Sequence, residues 1–270
     1  MIRRLWWAMA FAALAAFSLV VVACGDDDDG GEASAEEIAA LEETVTRIVE
    51  TDPTDEAAVD YWLAHYTERA FEVIGFADAE ECRAAVDDCI GEPSTVESIR
   101  DTEISGDSAS AVVSTSDGDV TLVLFEKESD EWLVDGFGTA AEIPAGVSEI
   151  EVSAVDYAYD WDDEEVTDGN VAFSMTNDGE ELHMMQVSKT TDDFDIDAMI
   201  ASLETLEPDA LPDGVEADVG FGIASPGATA NVVFEEQLEP GNYVFLCFIP
   251  DDEGTSHLEL GMHSEFTVPE

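Results

Sequence analysis

Four side chains in the second half of the chain could do chemistry together. Cys247 ends the run Gly241-Asn242-Tyr243-Val244-Phe245-Leu246-Cys247. His257 follows with nine residues between, and Met262 with four more between. His183 lies far upstream, after the turn residues Asn177-Asp178-Gly179. One thiolate, two imidazoles and one thioether are the donors of a blue-copper site. Cys and His make the short strong bonds, and Met makes a weak axial one. Cys, His and Met on one loop let a single turn supply three donors, while the remote His pins that loop to the rest of the fold. A site constrained in this way resists a change of geometry between Cu(I) and Cu(II), which lowers the cost of moving one electron.

Each residue also has a plainer role. Cys247 could be an inert buried thiol, His183 beside Met184-Met185 a satisfied core histidine, and Met262 after Gly261 simple packing. Taken jointly, the only Cys and two of the three His of this half fall in ligand order, which favours copper. His263 is the alternative imidazole. On a strand start beside Met262, it would point away if His257 and Met262 are ligands. The competing reading is a metal-free binding or scaffold module.

These residues sit in a segment, 147–270, that reads as almost all strand. Candidates are Glu149–Tyr157, Val171–Thr176, Leu182–Ser188, Thr229–Phe234, Asn242–Phe248 and Ser264–Val268. One helix, Phe194 to Leu206, interrupts them. Short strands separated by Gly/Asp/Pro turns predict a β-sandwich or Greek-key barrel. The segment resembles the cupredoxin family in its G-x-Y-x-F-x-C strand and in the ending His257-Leu258-Glu259-Leu260-Gly261-Met262. It also matches in Ser225-Pro226-Gly227-Ala228-Thr229 before a strand. The resemblance implies an all-β Greek-key sandwich with a helical insertion, and a single type 1 copper ion on His183, Cys247, His257 and Met262. The Cys-to-His loop is longer than in small carriers such as plastocyanin and closer to that of copper nitrite reductases. Met184 stands where small cupredoxins often place Asn.

Residues 35–142 read as a separate α+β domain, joined through the hinge Ile143-Pro144-Ala145-Gly146. Ala35 to Glu50 carries Ile38, Leu41, Val45, Ile48 and Val49 at helical spacing. Asp52-Pro53-Thr54-Asp55 breaks that helix and caps Ala57 to Tyr66. Phe71 to Ala85 is a third helical stretch. Four strands follow: Val96–Ile104, Ala109–Ser116, Val120–Glu126 and Trp132–Phe137. Helices followed by a meander resemble the NTF2-like (SnoaL-type) fold, a cone of helices against a curved sheet. Asp60, His65 and Tyr66 are its acid–base candidates. A lone His beside a Tyr on a helix reads as packing, so no catalysis is assigned.

Cys82 and Cys89 are seven residues apart. On a continuous helix their Cα atoms would be about 10.5 Å apart, whereas a disulfide needs less than about 7 Å. Either the helix ends near Val86-Asp87 and the chain folds back, or there is no bond. An exported protein favours the bond.

Export is read from the N-terminus. Arg3-Arg4 precede an apolar run from Leu5 to Val22, then Val21-Val22-Ala23-Cys24-Gly25. A charged start, an apolar stretch and a small-residue cleavage site make a secretory signal. The small residue before Cys24 resembles a bacterial lipobox. That resemblance implies a signal peptide over 1–23, lipidation of Cys24, and a chain held to the outer face of the membrane. Residues 24–34, with Asp26 to Asp29 and Gly30-Gly31, read as a solvated tether.

Composition bounds the rest. The chain has 270 residues, 46% of them hydrophobic, with 8 Lys+Arg against 65 Asp+Glu and a net charge of −57. Phosphate contacts need a basic face, so a nucleic-acid binder is excluded. Four His and four Cys cannot furnish a multicopper cluster, a zinc-finger array or an iron–sulfur protein. Nitrite reductase or oxidase activity would need further His-rich copper centres, so the chain is read as no enzyme. Acid spread along the whole chain, with Lys127 and Lys189 the only lysines, reads as adaptation to a salty exterior. Segment 147–270 carries one basic residue, Lys189, against 31 acidic ones. An unknown redox partner protein should therefore be basic, or dock at high salt.

Overall fold

The computed structural model describes residues 34–203, 210–251 and 253–270. The signal peptide, Cys24 and the tether up to residue 33 lie outside the described residues. The chain divides into two compact units, the second starting at Gly136. The division falls inside a strand, ahead of the hinge read at Ile143–Gly146.

In the first unit, Ser34 and Glu37 form a reciprocal capping box that starts α1, Ala35–Val49. This satisfies amide donors that an uncapped first turn leaves unpaired. Asp55 caps α2, Glu56–Ala64, and Thr67 caps α3, Glu68–Val73. The single helix expected over Phe71–Ala85 is instead broken. Gly75 turns at φ +84°, and Asp78 caps a fresh helix, α4, Ala79–Ala84. A separate turn, α5, spans Val86–Cys89. That break brings the Cys82 and Cys89 Cα atoms to 5.4 Å, and the two cysteines are disulfide-bonded.

The strands β1 (Val96–Ser105), β2 (Ser108–Thr115), β3 (Val120–Glu128) and β4 (Glu131–Thr139) form a meander. Alternate residues of β2 and β4 are buried, so one face of the sheet is covered. Leu41, Val45, Trp62, Leu63 and Phe71 from the helices share that core with Ala111, Val113, Phe125, Trp132 and Val134.

Closing the loop that Cys82–Cys89 spans removes freedom from the unfolded chain worth about 2.5 kcal/mol. We expect Cys82→Ala/Cys89→Ala to lower the unfolding free energy of this unit, read from urea denaturation, by that amount and to leave the second unit's transition in place. A loss below about 0.5 kcal/mol would show that the bridge contributes no constraint.

The second unit is a β-sandwich. One sheet has the order β9 (Val215–Ala224), β8 (His183–Thr190), β11 (Gly241–Leu246), β12 (His263–Val268), with Gly138 at the end of β4 paired to Ala224. The other has the order β10 (Thr229–Val232), β7 (Val171–Asn177), β5 (Ser148–Val155), β6 (Ala158–Asp160). β5 and β7 are parallel. Phe173 and Phe245 meet between the sheets with ring centroids 4.8 Å apart. β8 and β11 are buried along most of their length, and α6, Ile196–Leu203, covers the outer side of β11. Its Met199 packs with Val244, Leu246 and Leu258. A strand covered on both sides reads as a continuous apolar run, and Tyr243 to Leu246 is one.

Two strands escaped the sequence reading. β9 carries Gly220 and Gly222, which weaken a strand signal. A Cβ at Gly220 would meet Val232 at 2.8 Å and one at Gly222 would meet it at the same distance, so these glycines let β10 pack closely. β6 lies beyond the expected strand Glu149–Tyr157, which runs into the turn because that turn carries no glycine. Among the described residues no helix is long and apolar enough to cross a membrane.

Candidate metal centre

His183 opens β8, where it pairs with Ala224 of β9. The preceding loop is built around Asn177, which is fully buried. Its Nδ2 donates to the carbonyls of Glu181 (2.7 Å) and Ala224 (2.8 Å), and its Oδ1 accepts from the Gly179 amide. Gly179 is required there, because a Cβ would stand 2.8 Å from His183 Nε2.

Cys247 follows the last residue of β11. Its amide donates to the Met262 carbonyl at 3.3 Å, the Met262 amide donates to the His257 carbonyl, and the His257 amide donates to the Ile249 carbonyl. The long loop thus folds back on itself. Leu258, buried in the cluster under α6, anchors its middle.

His183, Cys247 and His257 are all fully buried, and their ligand atoms lie within 4.8 Å of one another. His183 Nδ1 is 3.2 Å from His257 Nδ1, and Cys247 Sγ is 3.5 Å from His257 Nδ1. The Met184 amide donates to Cys247 Sγ at 3.4 Å. Met262 is fully buried on the same loop, with its backbone bonded to both His257 and Cys247. His263 begins β12 opposite Leu246 and is absent from the cluster.

The outer nitrogens of both rings are occupied. His183 Nε2 is 3.2 Å from Asp156 Oδ1, and His257 Nε2 is 2.7 Å from Glu181 Oε2. An ionised carboxylate only accepts hydrogen bonds, so each Nε2 carries the proton. A neutral ring then turns its Nδ1 lone pair inward. Two such lone pairs 3.2 Å apart repel unless a cation or a proton sits between them. Imidazole and thiolate bind a divalent first-row ion at about 2.0–2.1 and 2.3 Å. Two nitrogens on one ion can therefore be no more than about 4.2 Å apart, and nitrogen and sulfur about 4.4 Å. The separations of His257 Nδ1 from His183 Nδ1 and Cys247 Sγ lie inside these limits, and the soft thiolate with two imidazoles fits copper or zinc rather than a hard cation.

Burial pushes the Cys247 thiol up to about 11, although amide hydrogen bonds from Met184 and Ile249 pull it down. The metal-free thiol is thus protonated near neutral pH. His183 is held below the usual imidazole range, first by burial and then by the neighbouring His257, with Asp156 opposing. Burial and the neighbouring imidazole both leave its Nδ1 free to donate an electron pair.

The acid–base candidates of the first unit do not converge. His65 ends α2 with Nδ1 2.7 Å from the Tyr61 carbonyl and its ring stacked on Tyr61 at 3.6 Å. Tyr66 stacks on Trp62. Asp60 pairs with Arg83 on the surface.

No family model matches the chain, and neither does any curated protein. Among the solved structures similar to part of the chain are three auracyanins. One is sodium-dithionite-reduced auracyanin from the photosynthetic bacterium Roseiflexus castenholzii. It is 23% identical over 46% of this chain and 98% of that one, with a TM-score of 0.31. Auracyanin B is 20% identical over 48% of this chain and 94% of that one, with a TM-score of 0.30. The third is auracyanin A, a blue copper protein from the green thermophilic photosynthetic bacterium Chloroflexus aurantiacus. It is 20% identical over 44% of this chain and 97% of that one, at the same TM-score. The case for metal rests on the chain's own donors and not on this likeness.

Proposed function

We propose that the second unit is a cupredoxin-like domain holding one copper ion on His183, Cys247 and His257, with Met262 as the weak fourth donor. Its role is single-electron transfer or copper holding at the cell envelope. The observation that carries this reading is the convergence of one thiol and two inward-facing Nδ1 atoms, all buried, at spacings one ion can bridge. A copper ion bound there supplies one-electron redox capacity, which this chain's side chains lack at accessible potentials. The chain's part is to fix the donors. β8 holds His183, the turn after β11 holds Cys247, and the folded-back loop under α6 holds His257 and Met262. Burial of all four side chains excludes bulk water from the donors. The first unit is proposed as an NTF2-like scaffold, and lipidated Cys24 as the tether to the membrane. The partner is proposed to be a protein presenting basic charge.

The test is a titration of metal-free protein with Cu(II). One equivalent should give an intense visible thiolate-to-copper band. Because the thiol is pushed up to about 11, uptake must release its proton. Above about pH 8, apparent affinity should rise about tenfold per pH unit until the thiol itself titrates. A colourless complex, or affinity flat with pH over that window, would mean that copper binds without the thiolate, and no uptake at all would leave a metal-free binding module as the reading.

A further inference from the structure

Of the two carboxylates against the ligand imidazoles, one sits on the tip of the β5–β6 hairpin and the other is bonded by that tip. Asp156 and Tyr157 form the tip of the β5–β6 hairpin, between the paired residues Val155 and Ala158. Tyr157 adopts φ +65°, a left-handed conformation that is costly for an aromatic residue. Its ring lies edge-on to His257, with centroids 5.1 Å apart, and its hydroxyl donates to Glu181 Oε1 at 2.9 Å. Glu181 Oε2 accepts from His257 Nε2. From the other side of the same tip, Asp156 Oδ1 faces His183 Nε2 and also accepts from the Glu180 amide at 3.0 Å. Gly179 leaves the space in which Asp156 and His183 meet.

We propose that Asp156 and Glu181, with Tyr157 orienting Glu181, are positioning residues that tune the site toward the divalent ion. This rests on the copper reading above. The physical reason is electrostatic. A carboxylate accepting the Nε2 proton raises the basicity of the opposite Nδ1 and fixes ring orientation. It also adds a negative charge close to a buried centre that already contains a thiolate. Three negative groups stabilise a charge of +2 more than a charge of +1, and burial weakens the screening that would blunt the difference. The cradle therefore lowers the reduction potential of the bound ion and holds both Nδ1 atoms inward before any ion arrives.

Glu181→Gln and Asp156→Asn keep one oxygen acceptor of the same reach for the imidazole and remove the charge; at Glu181 the second oxygen becomes an amide donor, from which the Tyr157 hydroxyl can accept instead. Both native side chains are about one-third exposed, so the substitutions should leave folding intact. Each variant should still give the thiolate–copper band, with Cu(II) affinity about tenfold lower. Cu(I) affinity should fall less. A tenfold change in the ratio of the two affinities raises the one-electron potential by 59 mV. Glu181→Ala, which also removes the acceptor, should in addition broaden or shift the band. In metal-free wild-type protein, nitrogen-15 NMR should find the proton on Nε2 of both His183 and His257, and Glu181→Ala should release His257 from that tautomer. Equal losses of Cu(I) and Cu(II) affinity with an unchanged potential would reduce the carboxylates to structural supports and overturn the proposal. So would a proton resident on Nδ1 with Nε2 bare in the metal-free wild type. Wild-type protein that takes up no copper, whatever its tautomers, overturns the copper reading and this inference with it.

Discussion

Cys247→Ser protein should stay colourless when one equivalent of Cu(II) is added, with its fold unchanged. The visible band of a thiolate–copper site is charge transfer from sulfur, which neither histidine nor carboxylate can supply. Cys247 is the one free cysteine among the described residues, and lipidation of Cys24 would consume the remaining thiol. A serine occupies nearly the same volume, and the Met184 amide that donates to sulfur can donate to a hydroxyl instead. Loss of colour should therefore not be loss of structure. His257→Ala should leave at most a weak, solvent-open site, since His257 Nδ1 lies within 3.5 Å of both other donor atoms. It would also strand Glu181 and Tyr157. Met262→Leu should keep the colour and shift the potential, because an axial thioether bond is long and weak. His263→Ala should do almost nothing, since that residue sits in the β12 ladder. If His263→Ala bleaches the protein and His257→Ala does not, the loop presents a different imidazole. If no condition colours the wild type, the sandwich holds no thiolate–copper centre.

The donors could be read from the sequence because they are rare. With four Cys and four His in 270 residues, a Cys, a His and a Met in loop order stand out against any background. The carboxylates that face those imidazoles could not be read at all. Asp156 and Glu181 are two among 65 acidic residues, and only the hairpin tip and the Asn177 loop tell them apart. The tip itself was hidden, because Asp156-Tyr157 carries none of the Gly or Asn-Gly signals that usually mark a two-residue turn. The Asn177-Asp178-Gly179 turn was visible as a turn. That its Asn side chain bonds two carbonyls and so shapes the approach to His183 was not. In the first unit the cap at Asp55 and the four strands with their turns were legible. The break at Gly75 was not, since one glycine inside a helical pattern is compatible with either outcome. The division between Cys82 and Cys89 followed from distance together with the bond that export favours. A straight helix could not bring them together, and the chain resolves the conflict by ending α4 at Ala84.

Thermal stability should rise steeply with NaCl and keep rising past physiological strength. Even if every one of the 8 Lys+Arg paired with an acid, most of the 65 acidic residues would have no basic partner. The ion pairs present, such as Arg83–Asp60 and Lys189–Glu239, are surface pairs, each worth about 0–1 kcal/mol. Against them stand many close like charges. Two carboxylates about 10 Å apart repel by about 0.4 kcal/mol at the dielectric of water. Runs such as Asp162-Asp163-Glu164-Glu165 and Asp192-Asp193 place charges on residues whose Cα atoms are only about 3.8 Å apart. At about 0.15 M salt the screening length is about 8 Å, longer than such separations, and it falls to about 3 Å only near 1 M. The closest repulsions thus persist at physiological salt and are relieved only well above it. Unfolding also relieves them by expansion, so the stabilisation on screening is the difference between the two states. Dozens of neighbours at a few tenths each leave several kcal/mol. At about 2–4 °C per kcal/mol for a chain of this size, the melting temperature should climb by at least about 10 °C between roughly 0.01 M and 1 M NaCl. Much of that rise should come above about 0.15 M. A gain complete by physiological strength would mean that only distant charges matter. A flat response across the whole range would show that the acidity serves solubility alone, while leaving the copper donors where they are.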